Sequence, residues 1–550
     1  MKTSLDHTIQ ISIVIIAALL FIPFLGHVHL FDWDEINFAE AAREMIRTGN
    51  YLNVQIDFHP FWEKPPLFIW MQVISMKVFG INEFAARFPN AICGVVTLSV
   101  LFNIGRKLRD TKLGLTWVIV YACSILPFFY FKSGIIDPWF NLFIFTGIYY
   151  SFLFTLAEKL QKRNYYLGLS ALFIGLAVLT KGPVGLLIYG LVFGIYMIIK
   201  MFRVRITLYQ ILLFSGVLIA VGGFWFIVQL LSGNYQVVND FFVYQVRLFQ
   251  TKDAGHGGFL LYHFVILFFG VFPASIFALR SFKLEKKEDR EPIHEYKNWM
   301  MILFWTVLIL FTIVRTKIVH YSSICYFPLT FLASYVIVKL IDQKQEIPKW
   351  MNRLLITVAV FWGSIIIALQ LIANYKDNII ASNLIKDPFA VHNLEAQVTW
   401  SGHEWLIGAL YLLLMILFIS FKRIQIQTRI IFIFLLTLIF TYTTVLVIPQ
   451  KIEGYSQRAA IEFYQERSKE DCYVEPIGFK SYAHLFYFNK NIQSNPKSYD
   501  EQWLLSGAID KPAYFIMKIN NAKDYLDKYP ELKIIYEKNG FVFAKRSLIQ

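Results

Sequence analysis

Charged residues are scarce in this sequence. Asp, Glu, Lys and Arg make up 16% of its 550 residues, whereas hydrophobic residues make up 57%. The mean hydropathy of +0.51 is too high for a soluble globular protein of this length. The composition therefore excludes a soluble enzyme and indicates a chain that lies mostly within a lipid bilayer.

The sequence also lacks the local motifs of several common enzyme classes. It has no Walker phosphate loop, no G-x-G-x-x-G, no nucleophile elbow and no H-E-x-x-H pattern. Its four cysteines have neither the spacing of metal ligands nor that of a disulfide framework. Without a nucleotide cradle, a phosphate ligand on the outer side of a membrane is more naturally a lipid-linked phosphate.

Long apolar runs are what the sequence does have. About thirteen of them suit a hydrocarbon core of about 30 Å. They lie near residues 9–30, 84–105, 113–131, 138–157, 165–180, 183–200, 208–231, 259–279, 298–314, 320–340, 352–373, 404–421 and 428–448. We therefore predict a mainly α-helical, polytopic membrane bundle over residues 1–448.

Lysines and arginines concentrate in alternate short loops, for example at 106–112, 159–163 and 200–205. The positive-inside rule places such loops in the cytoplasm. This predicts a cytoplasmic N-terminus and, with an odd number of spans, a C-terminus on the outer side. The net charge of +14 thus indicates membrane orientation, and no nucleic-acid partner is expected.

Two outer segments have patterns of their own. In the first outer loop, the sequence predicts helices over Asp34–Thr48 and Leu67–Phe79, both lying in the interface with their apolar faces in lipid. After residue 448 the composition becomes polar, and residues 449–550 are predicted to form a small accessory α/β domain outside the membrane. Its predicted strands and helices are Tyr473–Ile477, Tyr514–Ile519, Leu532–Tyr536 and Phe541–Ala544, and Ser456–Arg467 and Ala522–Lys528.

Carboxylates recur where the chain enters or leaves a predicted span on the outer side. Asp34-Glu35 follows the first span, and Asp137 precedes Pro138 at the start of another. A carboxylate at such a boundary suits a general base, because partial burial and a like-charged neighbour raise its pKa. The same residues are also ordinary helix starts, in which an acidic side chain caps the helix and meets its dipole.

Cations appear on the same side, where the topology predicts few of them. Lys64 lies in Glu63-Lys64-Pro65-Pro66, Lys181 lies between two apolar runs, and Lys317 precedes His320-Tyr321. Such residues could bind a phosphate. They could equally be interfacial lysines that snorkel, or loop residues if the spans are cut differently.

Taken together, these motifs resemble the first outer loop and following spans of ArnT-like glycosyltransferases, a GT-C group with protein O-mannosyltransferases as wider relatives. The resemblance covers about residues 30–330. It rests on Asp34-Glu35, Glu63-Lys64-Pro65-Pro66-Leu67, Ala86-Arg87-Phe88-Pro89, Asp137, Leu179-Thr180-Lys181-Gly182-Pro183 and Lys317 with His320-Tyr321.

The resemblance implies transfer of a sugar from a polyprenyl-phosphate donor, such as undecaprenyl phosphate, to a lipid (lipid A-like) or protein acceptor. The reaction would take place on the outer, periplasmic side of a bacterial inner membrane. The catalytic positions map to Asp34, Glu35 and Asp137. The positions that would bind the donor phosphate map to Lys64, Arg247, Lys317, Lys181, His320 and Tyr321.

A divalent metal ion is the one cofactor that the resemblance allows. Glu63 and His256 map near such an ion in some relatives, although two ligands alone do not make a metal site. The main alternative function is a polytopic transporter or lipid flippase. That class would place its charges on broken helices near the bilayer midplane, within inverted repeats, whereas here the charges lie at span ends and no repeat is evident.

Overall fold

The computed structural model describes residues 2–250, 257–282, 292–421 and 423–548. Most of these residues lie in helices that pack into one large apolar bundle. The helices up to residue 282 are α1 (Lys2–Phe21), α2 (Asp34–Thr48), α3 (Leu67–Phe79), α4 (Glu83–Leu108), α5 (Thr111–Ala122), α6 (Ile125–Tyr130), α7 (Asp137–Leu156), α8 (Leu160–Lys181), α9 (Val184–Ile199), α10 (Leu208–Gly222), α11 (Phe224–Leu231), α12 (Tyr235–Gln250), α13 (Tyr262–Gly270) and α14 (Ala274–Ser281).

The bundle continues after residue 291 and ends in one long helix. These later helices are α15 (Pro292–Ile313), α16 (Tyr326–Asp342), α17 (Lys349–Asn374), α18 (Lys376–Ala381), α19 (Pro388–Leu394), α20 (Trp405–Ser420) and α21 (Ile426–Gly454). A 3-10 helix, Val319–Cys325, leads directly into α16.

Seven helical segments in the described part of the chain are long and apolar enough to cross a membrane, and the number rises to nine if two bent pairs each count as one. Shorter apolar helices α1, α5, α9 and α20 coincide with four further predicted spans. The predicted class, a polytopic membrane bundle, is confirmed. The total of thirteen crossings stays a prediction.

The two bent pairs differ from the straight spans predicted over 208–231 and 259–279. Helices α10 and α11 meet at 61°, and α13 and α14 meet at 114°. In the second pair, Pro273 lies at the break. Proline lacks the N–H that an α-helix needs at that point, so the segment turns instead of continuing.

The first outer loop contains both predicted helices with the predicted bounds. Helix α2 ends at Gly49, whose φ is +71° and whose N–H donates to the carbonyl of Met45. Glycine adopts this left-handed conformation without steric cost, which makes it a common helix stop. Between the helices, a short antiparallel pair forms from β1 (Gln55–Ile56) and β2 (His59–Pro60).

The predicted interfacial position of α2 is wrong. Its polar face is buried: Glu40, Arg43 and Glu44 are all inaccessible to solvent. The Arg43 guanidinium donates to Glu40 at 2.6 and 2.7 Å and to Asn489 at 3.2 Å. The charged face of α2, which the sequence pattern predicts to be exposed to solvent, is therefore covered by the C-terminal residues. Helix α3, by contrast, does expose apolar side chains such as Ile74 and Val78.

The C-terminal residues form the predicted α/β unit. Its helices are α22 (Arg458–Arg467), α23 (Ala483–Tyr487), α24 (Glu501–Ser506) and α25 (Ile519–Lys528), and its strands are β3 (Tyr473–Ile477), β4 (Ala513–Lys518), β5 (Lys533–Lys538) and β6 (Phe541–Arg546). The sheet order is β3-β4-β6-β5, with β3 parallel to β4 and the other pairs antiparallel. The boundary predicted at 448/449 falls inside α21, which runs on to Gly454.

This sheet uses its two faces differently. Val474, Ile516 and Phe543 belong to the same apolar cluster as Ile36 and Phe38 of α2. The strand residues that face the other side pack with the unit's own helix α24. They are Tyr473, Phe515, Met517, Val542 and Ala544. Because neighbouring residues of a strand point to opposite faces, one sheet both closes its own core and covers α2.

Candidate active site

A cavity of about 550 Å³ lies beside the start of α2 and collects most of the predicted site residues. They come from distant parts of the chain. The predicted residues that line it are Asp34, Glu63, Lys64, Asp137, Lys181, Arg247, His320 and Tyr321.

Three aspartates line the cavity, and two of them, Asp34 and Asp137, have different surroundings. Asp137, the first residue of α7, has a side chain that is 3% exposed, and its Oδ1 accepts from the Lys181 ammonium at 2.6 Å. The side chain of Asp34 is 44% exposed. The His320 Nε2 lies 3.5 Å from Asp34 Oδ2 and 4.0 Å from Asp137 Oδ2. Of these two, Asp34 is therefore the aspartate more open to a substrate.

Two cations gather around one aromatic ring of the same cavity. The Lys64 ammonium lies 5.1 Å from the ring centre of Tyr244, and the Arg247 guanidinium carbon also lies 5.1 Å from it. Tyr244 and Arg247 are three residues apart on α12 and therefore share a helix face. Lys64 comes from the segment that Pro65-Pro66 stiffens before α3. The sequence predicted these two cations but not the tyrosine between them.

Burial lowers the pKa of Lys64, while the adjacent Glu63 opposes that effect and the Lys181 charge adds to it. A half-buried ammonium of this kind gains more from an anionic ligand than one in open water, because the interaction is less screened. Lys64 and Arg247 thus give this part of the cavity a positive charge that is chemically suited to an anion.

Lys317 does not join this pair. Its ammonium donates to the main-chain carbonyls of Phe311, Thr312 and Val314 at 2.7–2.8 Å. These carbonyls lie at the C-terminal end of α15, where a cation is favourable. The three N–H groups of Lys317 are all used in this way, so the predicted contact with a donor phosphate has no donor left to make it.

Glu35 is also placed differently from its predicted catalytic role. Its carboxylate is buried and accepts from the Arg87 guanidinium at 2.7 and 2.9 Å, from Phe31 N at 3.0 Å and from Gly134 N at 2.5 Å. Burial alone would raise the pKa of Glu35, but the Arg87 charge and these donors lower it overall. Glu35 thus holds the start of α2 in position, and both of its carboxylate oxygens already accept hydrogen bonds.

A second cavity of about 520 Å³ adjoins the first. The two share Asp32, Trp33, Asp34 and His320. The rest of the second lining is mainly apolar and comes from the α1–α2 connection, α6, the segment before α7, the start of the 3-10 helix and α21. Its apolar residues are Phe24, Leu25, Val28, Phe31, Leu126, Phe129, Tyr130, Ile135, Val319, Val445, Leu446 and Pro449. Asp34 therefore lies at the junction of two cavities, one rich in charge and one suited to hydrocarbon.

Several known proteins are similar to this chain in sequence or in fold. The model of the dolichyl-phosphate-mannose-protein mannosyltransferase family matches residues 63–226. The crystal structure of ArnT from Cupriavidus metallidurans bound to undecaprenyl phosphate superposes with a TM-score of 0.76 at 16% identity, covering 98% of this chain and 97% of that one. The chain is ArnT-like, with the GT-C fold.

Curated sequences agree with the ArnT-like fold. Undecaprenyl phosphate-alpha-4-amino-4-deoxy-L-arabinose arabinosyl transferase of Shewanella sediminis is 26% identical over 345 residues, 61% of this chain and 62% of that protein. A transferase with the same description from Proteus mirabilis is 27% identical over 323 residues, 58% of this chain and 57% of that protein. The chain thus matches about three fifths of the length of these relatives.

The metal prediction has only one of its two residues in the described structure. Glu63 lines the first cavity, whereas His256 lies outside the described residues. Over the ranges that the structure describes, no three His, Cys, Asp or Glu side chains come together in a way that could hold a metal ion. Glu63 and His256 stay a prediction.

Sequence reasoning also missed several residues of the site. Trp33 and Asp32 immediately precede Asp34, and Lys480 comes from the C-terminal unit, yet all three line the first cavity. Because Asp32 and Trp33 are next to Asp34 in the sequence, they could have been predicted as site residues. Nothing local marks Lys480, because only the packing of the C-terminal unit on the outer loop brings it there.

Proposed function

We propose that this protein is a glycosyltransferase that takes a sugar from a polyprenyl-phosphate donor and transfers it to a lipid acceptor. One observation carries the proposal: the accessible carboxylate of Asp34 shares a cavity with Lys64 and Arg247, which meet at Tyr244. A base for the acceptor and cations for a leaving phosphate are the two parts that this reaction needs.

The reaction is a single displacement at the anomeric carbon of the sugar. The acceptor hydroxyl oxygen forms the new bond to that carbon while the Asp34 carboxylate takes its proton. The bond from the anomeric carbon to the phosphate oxygen breaks, and its electron pair leaves with the polyprenyl phosphate. Lys64 and Arg247 stabilise the negative charge on the leaving phosphate, and the configuration at the anomeric carbon inverts.

Asp137 has a supporting part in this scheme. Its carboxylate is already paired with Lys181 at 2.6 Å and lies within 4.0 Å of the His320 imidazole. This pairing fixes Lys181 and limits how freely His320 can turn toward Asp34. Asp137 is therefore a positioning residue, and Asp34 is the base.

The second cavity supports a lipid as the acceptor. Its mainly apolar lining includes Asp34 together with residues of the α1–α2 connection and of α21, and its Phe24 and Phe129 are exposed. An acyl chain could lie there while the head group meets Asp34. The names of the curated relatives make an aminopentose on undecaprenyl phosphate the first donor to test. The reaction would face the periplasm of a bacterial inner membrane.

The test is transfer by the purified protein. In detergent or nanodiscs, the chain should move labelled 4-amino-4-deoxy-L-arabinose from undecaprenyl phosphate to lipid A, and Asp34→Asn should abolish most of that transfer. Mass spectrometry of envelope lipids from cells with and without the protein identifies the natural acceptor. A lipid flippase would move the donor across vesicles without forming a glycosylated product, and Asp34→Asn would leave that movement intact.

A further inference from the structure

The imidazole of His320 lies between two carboxylates, and its Nε2 atom is near both. It is 3.5 Å from Oδ2 of Asp34 and 4.0 Å from Oδ2 of Asp137. Asp137 Oδ2 is buried and accepts no hydrogen bond from the described residues. An ionised carboxylate can only accept hydrogen bonds, so Nε2 must carry a hydrogen to bond with either aspartate. A small shift of the ring therefore decides which of the two accepts it.

The third aspartate of the cavity already has partners of its own. Asp32 accepts from the Ser481 hydroxyl of the C-terminal unit, and the main-chain nitrogen of Tyr482 lies 3.4 Å from both of its carboxylate oxygens. Asp34 and Asp137 are therefore the two carboxylates that share the imidazole of His320.

Helix α7 controls His320 through a second contact, which Asn141 makes. Asn141 follows Asp137 by four residues, so both side chains lie on one face of α7, and both line the first cavity. The Asn141 amide donates to the Ser323 hydroxyl at 2.7 Å, and that hydroxyl donates to the main-chain carbonyl of His320 at 2.5 Å. Helix α7 thus approaches the imidazole through Asp137 and holds the main chain of the same residue through Asn141.

Other contacts fix the 3-10 helix Val319–Cys325 as a whole. Lys317, just before it, donates to three carbonyls at the end of α15. The Ser322 hydroxyl lies 3.1 Å from Nδ1 of the buried His263 on α13. These contacts anchor the helix to its neighbours, whereas the chain of bonds from Asn141 ends on His320 itself.

We propose that Asn141 is a positioning residue for sugar transfer, because it holds His320 in place to orient the base, Asp34. It acts through the hydroxyl of Ser323. This inference rests on the proposed glycosyl transfer. The Nε2–H of His320 is directed at Asp34 Oδ2, which leaves Oδ1 to take the proton of the acceptor hydroxyl. Contacts of this kind are often longer in a free enzyme than in the complex that reacts.

Loss of the bond from Asn141 has a defined consequence. The imidazole of His320 is then free to turn to the unpartnered Oδ2 of Asp137, and Asp34 loses the group that orients it. The phosphate-binding cations Lys64 and Arg247 are not part of this chain of bonds. The positioning role therefore predicts a slower chemical step with unchanged donor binding.

The test is the kinetics of sugar transfer by the full-length protein in nanodiscs, with kcat and the donor KM measured separately. Binding of undecaprenyl phosphate is measured in parallel, with Lys64→Ala as the reference for its loss. Asn141→Ala and Ser323→Ala break the chain of bonds singly and together, and Ser323→Thr keeps the hydroxyl. His320→Ala removes the imidazole. Ser322→Ala is the matched control, because it removes a neighbouring hydroxyl of the same 3-10 helix.

Asn141→Ala and Ser323→Ala should each lower kcat by about 10- to 100-fold, the scale of a displaced catalytic group. The double variant should lose no more than either single variant, because both substitutions break one chain. Ser323→Thr and Ser322→Ala should keep the wild-type kcat. The donor KM and undecaprenyl phosphate binding should be unchanged in all of these variants.

Added imidazole separates positioning from a general loss of structure. It should restore part of the rate to His320→Ala, because the free ring can enter the cavity of about 550 Å³ and donate to Asp34. It should not restore Asn141→Ala, in which the ring of His320 is still present.

Four results would overturn the inference. They are an unchanged kcat in Asn141→Ala and Ser323→Ala, losses that add in the double variant, and an equal loss in Ser322→Ala. The fourth is a loss of undecaprenyl phosphate binding in His320→Ala as large as that in Lys64→Ala, which would assign His320 to the donor. None of these affects the proposed function, whose failure would appear as absent sugar transfer by the wild-type protein.

Discussion

The ammonium of Lys181, the last residue of α8, donates to Asp137, the first residue of α7, at 2.6 Å. This pair joins two helix ends that line the cavity and uses the charge of one of its three aspartates. Asp34 is left as the accessible carboxylate. The two aspartates should therefore respond differently to the same substitution.

Asp34→Asn should lower the rate of sugar transfer by roughly 10²–10⁴-fold, because the amide cannot accept the acceptor's proton. Its melting temperature should stay close to that of the wild-type protein, since Asp34 is partly exposed. Asp137→Asn should instead leave Lys181 buried without its partner and destabilise the protein by about 3–5 kcal/mol. Single-turnover kinetics and thermal unfolding of both variants check the difference; near-normal transfer by Asp34→Asn would refute the assignment of the base.

Lys64→Ala and Arg247→Ala should each weaken binding of undecaprenyl phosphate by about 10- to 100-fold, the scale of a hydrogen bond to a charged group. Lys317→Ala is the matched control, because its ammonium contacts only the carbonyls at the end of α15. It should lower the melting temperature and leave donor affinity unchanged. Titration of all three variants with the lipid phosphate provides the measurement, and a loss of affinity confined to Lys317→Ala would contradict the phosphate site.

Stability should depend on pH through Glu44. Burial, and next the nearby Glu40 carboxylate, raise the pKa of Glu44 from 4.5 to about 9 in the folded protein. The folded state therefore keeps a proton that the unfolded chain releases above its lower pKa. The stability linked to Glu44 is full below about pH 4.5 and is lost as pH rises toward 9.

Glu44→Gln removes that proton equilibrium while keeping the size of the side chain. The variant and the wild-type protein should melt at similar temperatures near pH 5, and the variant should melt several degrees higher near pH 9. Thermal unfolding of both proteins across this range gives the comparison. A constant difference at every pH would show that Glu44 does not titrate in this window.

Helices α17 and α20 approach closely through two glycines. A Cβ atom added at Gly408 would lie 2.4 Å from the carbonyl oxygen of Gly363, so Gly408→Ala should force the helices apart and cost about 1–3 kcal/mol. Gly190 of α9 has no atom within 4 Å of an added Cβ, so Gly190→Ala should be neutral or stabilising. Melting temperatures of the two variants test this, and equal values would contradict the close packing of α17 and α20.

The ends of α4, α5 and α16 should lie in the cytoplasm. Arg109 and Lys112 both form salt bridges with Asp342, which groups these basic connections on one side of the bundle. Reporter fusions after Arg109 and after Gln550 should therefore report opposite sides of the membrane. If both fusions reported the cytoplasm, the predicted orientation would be wrong.

Local signals explain why some elements were predictable. Gly49 ends α2 through its left-handed conformation, and Pro65-Pro66 lead into α3, so each boundary depends on residues next to it. The short β-like run predicted over Tyr473–Ile477 became β3 with the same bounds. The carboxylates and cations of the cavity were also predictable, because each interrupts an apolar pattern at a span end.

Long-range packing explains what the sequence did not reveal. The charged face of α2, with Glu40, Arg43 and Glu44, resembles a solvated surface until the C-terminal unit covers it. Lys317 looks like a site cation until the end of α15 places three carbonyls around it. Both arrangements depend on groups that only the three-dimensional fold brings close together. The sequence next to these residues contains no sign of them.

The bond between Ser481 and Asp32 joins residues that are 449 positions apart. At a synthesis rate of about 5–20 residues per second, the outer loop waits roughly 20–90 s for this partner after it has been made. During that interval the early helices can already lie in the bilayer, but residues 478–482, which bring Lys480 to the first cavity, do not yet exist. The segment next to Asp34 is thus among the last parts of the fold to be completed, and a chain cut short before residue 481 leaves Asp32 without this bond.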